Sequence, residues 1–199
     1  MSDAGSEAGE KEEIPIVGVY EGERNDQKER HGKGKNAFPN GDIYEGNYAN
    51  GKRNGQGVYK WKAGHRYKGE FKDNVRHGPG YFVYPDGSKY NGEFAEGKRN
   101  GQGVYLYGNG DVYQGEWAAD VKHGKGTYLY AAGGKKTGVW VNGVLNGPGE
   151  IVHADHKIVG VFKNDYEMEM PVELIFPKTG YTKIVRDPHL LGLVPITSE

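Results

Sequence analysis

A glycine-x-glycine pair recurs through this sequence, and such pairs can bring a backbone close to a phosphate group. A dinucleotide-binding fingerprint, however, has a third glycine and occurs once, between a strand and the start of a helix. Here the pair recurs six times at regular intervals, and no copy precedes a helical pattern. We therefore interpret these glycines as structural turn residues and predict no nucleotide site. The pairs are Gly32/Gly34, Gly55/Gly57, Gly78/Gly80, Gly101/Gly103, Gly124/Gly126 and Gly147/Gly149.

Histidines are the next residues with chemical potential, because imidazole is the commonest metal ligand in proteins. His31, His77 and His123 occupy equivalent positions 46 residues apart. Two repeats of two strands each would separate them by roughly 20 Å, whereas zinc ligands must all lie about 2 Å from one ion. His153 and His156 are close in sequence but lack a nearby second pair of ligands. We interpret the first three as loop histidines and predict no metal site.

Catalytic residues are not indicated either. A nucleophilic hydrolase needs a serine or threonine beside a histidine and an acid, and Ser88 lies in a predicted turn. The carboxylates Glu45, Glu70, Glu93 and Glu116 recur at one position of a repeat, as the charged face of a strand would. The chain has no cysteine, which excludes disulfide scaffolds, iron–sulfur clusters and cysteine enzymes. We predict no catalytic residue, no cofactor and no enzymatic activity.

The composition predicts a thin, aromatic core. The 199 residues include 34 glycines and 15 tyrosines, and 26 basic residues nearly balance 27 acidic ones. The longest apolar runs have only a few residues, far below the roughly 20 that span a bilayer. The acidic start of the chain differs from the basic start of a signal peptide. We therefore expect a soluble, cytoplasmic protein.

A repeat of about 23 residues organises most of the chain, and this periodicity indicates an array of similar structural units. Its clearest mark is a tyrosine followed two residues later by glycine, at successive spacings of 24, 23, 23 and 23 residues. These units begin at Tyr20, Tyr44, Tyr67, Tyr90 and Tyr113, and weaker copies follow at Gly138 and Gly160.

The residue pattern within each unit predicts two β-strands. Tyr67, Gly69 and Phe71 alternate with charged residues, which is the period of a strand. A second alternating stretch follows each glycine-x-glycine pair, as at residues 81–84, and turns such as Asn40-Gly41 link one unit to the next. The predicted fold is all-β: an elongated, single-layer antiparallel meander of β-hairpins, capped by a short irregular C-terminal segment.

Tandem units of this form resemble the MORN-repeat family over roughly residues 20 to 163. More narrowly, residues 29–34, 39–46 and 51–59 resemble the MORN-repeat components of ciliary radial spoke heads. The resemblance implies a non-enzymatic scaffold in the cytoplasm and the axoneme of cilia or flagella. It also implies that the partners are other spoke-head proteins, including related MORN-repeat subunits, and a possible second copy of this chain.

Three regions are predicted: an acidic leader at residues 1–19, a ribbon of six clear units and a degenerate seventh at 20–163, and a cap or dimerisation segment at 164–199. The last unit loses its glycine-x-glycine pair, and aliphatic stretches follow it. Asp187 and Pro188 could begin a short helical turn. The predicted cap or dimer contacts are Leu174, Ile175, Phe176, Leu190, Leu191 and Leu193.

An aromatic face on a single sheet predicts a groove for a partner segment. The alternative is a peripheral membrane tether that binds acidic phospholipids through loop residues such as Lys52-Arg53, Lys98-Arg99 and Lys135-Lys136. The modest basic excess, with acids interspersed, predicts no nucleic-acid binding. The predicted partner-binding residues are Tyr44, Tyr48, Tyr67, Phe71, Tyr84, Tyr90, Phe94, Tyr107, Tyr113, Trp117, Tyr130 and Trp140.

Overall fold

The computed structural model describes residues 18–191. Residues 1–17, which make up nearly all of the predicted leader, and the predicted contact Leu193 lie outside the described residues.

The described residues form one open antiparallel sheet in which 15 strands follow one another in chain order. This confirms the predicted all-β meander. At a strand spacing of about 4.8 Å, the sheet is roughly 65 Å long. The strands are β1 Val19–Arg24, β2 Arg30–Ala37, β3 Ile43–Ala49, β4 Lys52–Lys60, β5 Arg66–Lys72, β6 Val75–Val83, β7 Lys89–Ala95, β8 Lys98–Leu106, β9 Val112–Ala118, β10 Val121–Leu129, β11 Lys135–Val141, β12 Val144–Val152, β13 Lys157–Phe162, β14 Met168–Phe176 and β15 Tyr181–Val185, and a 3-10 helix follows at Pro188–Leu191.

The glycine-x-glycine pairs lie inside strands, so their assignment to turns was wrong. Gly78 and Gly80, for example, both belong to β6. Gly78 has a φ of 58°, and the register between β5 and β6 shifts beside it. The pair therefore forms a β-bulge, where glycine accepts a left-handed backbone and the strand continues. The histidines assigned to loops, His31, His77 and His123, are strand residues for the same reason.

In the first five pairs the second glycine lies under a tyrosine ring, whereas Gly149 has no tyrosine over it. Gly80 pairs directly with Gly69 across β5 and β6, and a Cβ atom on Gly80 would stand 2.5 Å from the Tyr67 ring. The Tyr67 hydroxyl donates a hydrogen bond to the Glu70 carbonyl at 2.9 Å, and the residue is 0% exposed. The same packing recurs at Tyr44, Tyr90 and Tyr113.

These tyrosines join the aromatic rings at the ends of the same strands in one continuous inner row. The Tyr67 ring lies 5.1 Å from Phe71 in its own strand and 5.1 Å from Phe94 in the next repeat, both in edge-to-face geometry. Such contacts stabilise beyond simple area burial, and here they connect each repeat to its neighbour. In spatial order the inner row is Tyr20, Tyr48, Tyr44, Phe71, Tyr67, Phe94, Tyr90, Trp117, Tyr113 and Trp140.

The C-terminal end is more regular than the sequence suggested. β14 and β15 continue the sheet well beyond residue 163, because alternating aliphatic side chains there replace the tyrosine and glycine pattern. Leu174 and Leu191 pack against the core, whereas Leu190 is 64% exposed. The predicted helical turn is confirmed: the His189 N–H donates a hydrogen bond to Asp187 Oδ1 at 3.0 Å. Within residues 18–191, no helical segment has the length and apolar character needed to cross a bilayer.

We expect Gly80→Ala to lower the free energy of unfolding by about 1–3 kcal/mol, because its methyl group would overlap the Tyr67 ring. The measurement is urea denaturation followed by circular dichroism. In a Tyr67→Leu background the same change should cost markedly less, since the overlapping ring is gone. Fully additive effects would contradict the packing of tyrosine on glycine.

Candidate partner-binding groove

A second row of rings lies beside the inner row and is more open to solvent. Its members come from the ends of the second strands and from the loops that follow them. The Phe82 ring lies 5.4 Å from Trp61 and 4.4 Å from Tyr84, and Tyr84 lies 5.6 Å from Tyr105. Trp61, Tyr84 and Tyr105 are only partly buried. This outer row comprises Phe38, Tyr59, Trp61, Phe82, Tyr84, Tyr105, Tyr107, Tyr128 and Tyr130.

Carboxylates in the wide loops hold the outer row in position. Asp111 accepts hydrogen bonds from the Tyr128 hydroxyl at 2.6 Å and from the Ala131 N–H at 2.8 Å. Burial alone would raise the pKa of the Asp111 carboxyl, but these donors and the Asn109 amide outweigh burial and lower that pKa. Asp42 binds the Tyr59 hydroxyl in the same way, at 2.8 Å. These two loops therefore each fix a ring of the following repeat.

A row of cations covers the inner rings. The Arg53 guanidinium lies 5.7 Å from the Tyr44 ring, 5.0 Å from Tyr59 and 5.5 Å from Phe71. These are cation–π distances, and they place the charge over both rows. The cation row repeats every 23 residues, as Arg30, Arg53, Arg76, Arg99 and Lys122.

Three of these cations, Arg53, Arg76 and Arg99, also bind the two-residue turn of the next repeat through their side chains. Arg99 Nε donates to Asp120 Oδ1 at 3.0 Å, and its Nη2 donates to the Asp120 carbonyl at 2.8 Å. In return the Asp120 N–H donates to the Arg99 carbonyl at 3.0 Å. Arg76 binds the Gly97 carbonyl in the equivalent place. Burial lowers the pKa of Arg76, but its guanidinium stays charged at neutral pH.

Shallow depressions lie between the cations and the exposed rings. One of about 310 Å³ is lined by Arg53, Trp61, Phe71 and Arg76, among others. We call the surface formed by the cation row and the outer row the aromatic–cation groove. Aromatic-lined grooves suit proline-rich or aromatic segments, and the cations favour segments that also carry carboxylates.

The predicted partner-binding residues divide between these rows. All of them belong to one network of touching rings, but most are core residues that a partner could scarcely reach. Only Tyr84, Tyr107 and Tyr130 lie in the partly exposed outer row. The sequence reasoning passed over the cation row, although its regular 23-residue spacing was a usable signal. The buried members are Tyr44, Tyr48, Tyr67, Phe71, Tyr90, Phe94, Tyr113, Trp117 and Trp140.

The basic pairs assigned to loops lie in strands, so that assignment was wrong. Arg53 and Arg99 belong to the cation row. Lys136 lies 3.3 Å from Asp165, and Lys52 lies 3.3 Å from Asp73. The pairs Lys52-Arg53, Lys98-Arg99 and Lys135-Lys136 begin β4, β8 and β11, respectively.

In the part of the chain that the structure describes, no group of three or more acidic or histidine side chains is arranged to hold a metal ion. His153 and His156 stack with ring centroids 4.6 Å apart. His156 Nδ1 lies 2.7 Å from Asp155 Oδ1, and burial lowers the pKa of His153. This pair has the geometry of a surface stack.

The 23-residue geometry agrees with a family model described as the MORN repeat, which matches residues 27–43, 44–66, 67–89, 90–112, 113–135 and 137–157. These ranges cover more than half of the chain. The chain belongs to the MORN-repeat family. Its MORN units are thus hairpins in which the tyrosine strand and the glycine-x-glycine strand pair side by side.

Two relatives share part of the MORN array, and both are named Radial spoke head 1 homolog. The protein from Mus musculus is 60% identical over 48 residues, which is 24% of this chain and 16% of that protein. The protein from Cyprinus carpio is 52% identical over 50 residues, or 25% of this chain and 22% of that protein. The matched segments therefore span about a fifth of the relatives' length or less.

Among solved structures, the MORN sheet is similar to the TCP domain of Drosophila melanogaster SAS-4, which was solved in complex with a proline-rich motif of Ana2. The TM-score is 0.51 at 15% identity, over 78% of this chain and 85% of that domain. At this identity the likeness concerns the fold alone.

We expect Arg76→Met to lower the free energy of unfolding by about 1–3 kcal/mol, because it removes a charge over three rings and the hydrogen bond to Gly97. Arg76→Lys should cost less, since Lys122 fills the same position over Trp140 at 4.3 Å. Urea denaturation of both variants shows which substitution lowers the free energy of unfolding more. A methionine variant as stable as the native chain would contradict a structural role for the cation row.

Acid should destabilise the wide loops through Asp111. Its folded pKa lies below the ordinary value of 3.8, so its stabilising effect is present above that value and is lost as pH falls through the folded pKa. Between about pH 5 and pH 2.5, the melting temperature of the native chain should therefore fall more than that of Asp111→Asn. The control is Asp26→Asn, in the exposed β1–β2 turn, which should follow the native profile. Parallel profiles for the native chain and Asp111→Asn would contradict this role.

Proposed function

We propose that this chain is a non-enzymatic structural scaffold of the radial spoke head in motile cilia and flagella, where it binds other spoke-head subunits. The observation that carries the proposal is the aromatic–cation groove on an uninterrupted 15-stranded sheet. The names of the two partial relatives support the location. Under this proposal the protein lies in the cytoplasm and on the axoneme.

The partners would be other spoke-head proteins, including related MORN-repeat subunits. A partner segment would lie along the outer row, where Trp61, Tyr84 and Tyr107 offer partly exposed rings. The Arg99 guanidinium lies 5.1 Å from the ring of Tyr105 in the same row. Partly exposed aromatic and arginine side chains are the residue types that dominate binding energy at interfaces. The buried inner row would act indirectly, by keeping the groove straight and rigid.

A homodimer through the C-terminal segment remains a narrower proposal. Leu174 and Leu191 pack against the core of the same chain, which favours the cap. Ile175 and Phe176 are half-buried, and Leu190 is exposed, so an apolar contact surface remains at this end of the sheet.

The membrane tether has less support. Its proposed lipid-binding residues Arg53 and Arg99 lie over aromatic rings and bind the next repeat. Lys136 faces Asp165. An anionic headgroup would have to displace these contacts.

The test is retention on the axoneme in a ciliated cell that makes the tagged full chain. After detergent removes the membrane, we expect the protein to stay with the axoneme and to cross-link to spoke-head subunits. A Tyr84→Ser, Tyr107→Ser variant should be largely lost, because it removes two rings of the groove. The matched control is Tyr166→Ser with Tyr181→Ser, two tyrosines that are each 57% exposed and lie outside the groove.

Circular dichroism and the melting temperature establish that each variant is folded. Release of the native chain with the detergent-soluble membrane would contradict the scaffold and favour the tether. Equal retention of the groove and control variants would agree with a scaffold role but would place the partner-binding surface outside the aromatic–cation groove.

A further inference from the structure

The face of the sheet opposite the aromatic rings carries a line of basic and aliphatic residues. Each is the chain neighbour of a ring residue, as Lys60 is of Tyr59 and Leu106 is of Tyr105, so these side chains point away from the groove. Consecutive members are directly paired across adjacent strands, as Lys60 is with Arg66. We call this line the basic–aliphatic stripe; its members are Lys60, Arg66, Val83, Lys89, Leu106, Val112 and Leu129.

Among the described residues, the cations of the stripe have no carboxylate partner. Lys60, Arg66 and Lys89 are exposed, and none is in an ion pair with another residue between positions 18 and 191. Farther along the same register line, Lys135 and Lys157 both lie within ion-pair distance of Glu150. The stripe is therefore the part of this register line in which the positive charges are not balanced by a carboxylate of a described residue.

Leu106, Val112 and Leu129 form a continuous apolar track at one end of the stripe, and Val83 lies between the two cations Arg66 and Lys89. Leu106 is 36% exposed and Leu129 is 41% exposed, and Val83 and Val112 are half-buried. Single exposed aliphatic residues are ordinary, but here they lie on neighbouring strands in one line. From Lys60 to Leu129 the stripe crosses six strand spacings, or roughly 29 Å.

The same face carries a parallel line of acids nearer the two-residue turns. Glu70, Glu93 and Glu116 each precede a ring of the inner row and share the face of the stripe. Arg66 and Glu70 are four residues apart in one strand, which is about 13 Å. A flat anionic membrane on this face would therefore meet the acids as well, whereas a narrow chain on the stripe would avoid them.

We propose that the basic–aliphatic stripe binds an extended segment of a partner protein that presents acidic side chains to Lys60, Arg66 and Lys89 and then leucine or isoleucine to the aliphatic end of the stripe. The carboxylates would pair with the three free cations, and the aliphatic side chains would cover the apolar track. This surface is separate from the aromatic–cation groove and lies on the other face. The sheet can then hold one partner on each side, which a single-layer fold permits and a two-layer fold does not.

The experiment uses the full chain and a fluorescein-labelled peptide of about eleven residues, Glu-Ser-Glu-Ser-Glu-Ser-Leu-Ser-Leu-Ser-Leu. When the peptide is extended it is long enough to follow the stripe, and its Glu and Leu side chains all point to the same side. Binding is measured by fluorescence anisotropy at low and moderate salt. We expect Lys60→Glu with Arg66→Glu and Lys89→Glu to weaken binding by roughly tenfold or more, which corresponds to at least about 1.4 kcal/mol. If the triple variant does not fold, Lys89→Glu alone carries the test, and a several-fold loss is expected.

The matched charge control is Lys72→Glu with Lys98→Glu and Lys125→Glu. These lysines are exposed, lie outside the stripe and change the net charge equally, so binding should stay within about twofold of the native chain.

The apolar track has its own test. Leu106→Ser with Leu129→Ser should weaken the peptide several-fold. The control, Val121→Ser with Val144→Ser, removes valines of similar exposure near the two-residue turns, 40% and 36%, and should leave binding unchanged.

Three results would overturn the proposal. Equal weakening by the stripe and control charge variants would indicate general electrostatic attraction. Binding of phosphatidylserine vesicles through the stripe without peptide binding would identify a membrane surface. Peptide binding that emerges only after Glu10, Glu12 and Glu13 are replaced by glutamine would make the chain's own leader the occupant.

Discussion

From β1 to β10 the sheet depends on a tyrosine ring that lies flat on a pair of glycines. A single-layer sheet has no second layer to cover its apolar face, so the rings must cover the backbone of the strands themselves. Only glycine leaves room for this: a Cβ atom on Gly57 would stand 2.3 Å from the hydroxyl oxygen of Tyr44. The hydroxyl then satisfies a carbonyl three residues along the same strand. Ring, glycine and carbonyl thus form one unit of packing, which the repeat copies.

Coupling between repeats follows from the same unit. Because the tyrosine ring packs flat on the glycines, it makes an edge-to-face contact with the ring at the end of the next repeat's first strand. Tyr90 and Trp117, for example, have ring centroids 5.5 Å apart. A cation then covers the pair and binds the following turn. Each repeat is therefore stabilised mainly by contacts with the repeats on either side of it, as in other repeat proteins. Beyond Trp140 the rings give way to aliphatic side chains such as Leu145 and Ile158, and the sheet is completed by ordinary burial.

The way this core is built also determines which residues remain available on the two faces of the sheet. The rings and cations that build the core lie on one face, and the opposite face needs mainly the glutamates that bind the bulges, as Glu116 Oε1 accepts a hydrogen bond from the Lys125 N–H at 2.9 Å. The opposite face can carry the acidic line over the bulge glycines and, about 13 Å away, the basic–aliphatic stripe. On the aromatic face, what remains for a partner is the outer row, held by carboxylates such as Asp42 and Asp111.

The sequence by itself determined the fold class, the order of the strands and the family. Few folds other than a meander of hairpins combine a two-residue alternation with a 23-residue repeat. The regular recurrence of six glycine-x-glycine pairs also argued against a nucleotide site. The tertiary structure alone decided which rings are core and which are surface, because Tyr67 and Tyr84 look alike in sequence and differ only in what covers them. It also decided that the glycine pairs lie within strands, since a bulge and a turn use the same left-handed glycine. Finally, it placed Arg53 and Arg99 over rings, because the space that admits a guanidinium exists only after the tyrosines have packed on their glycines.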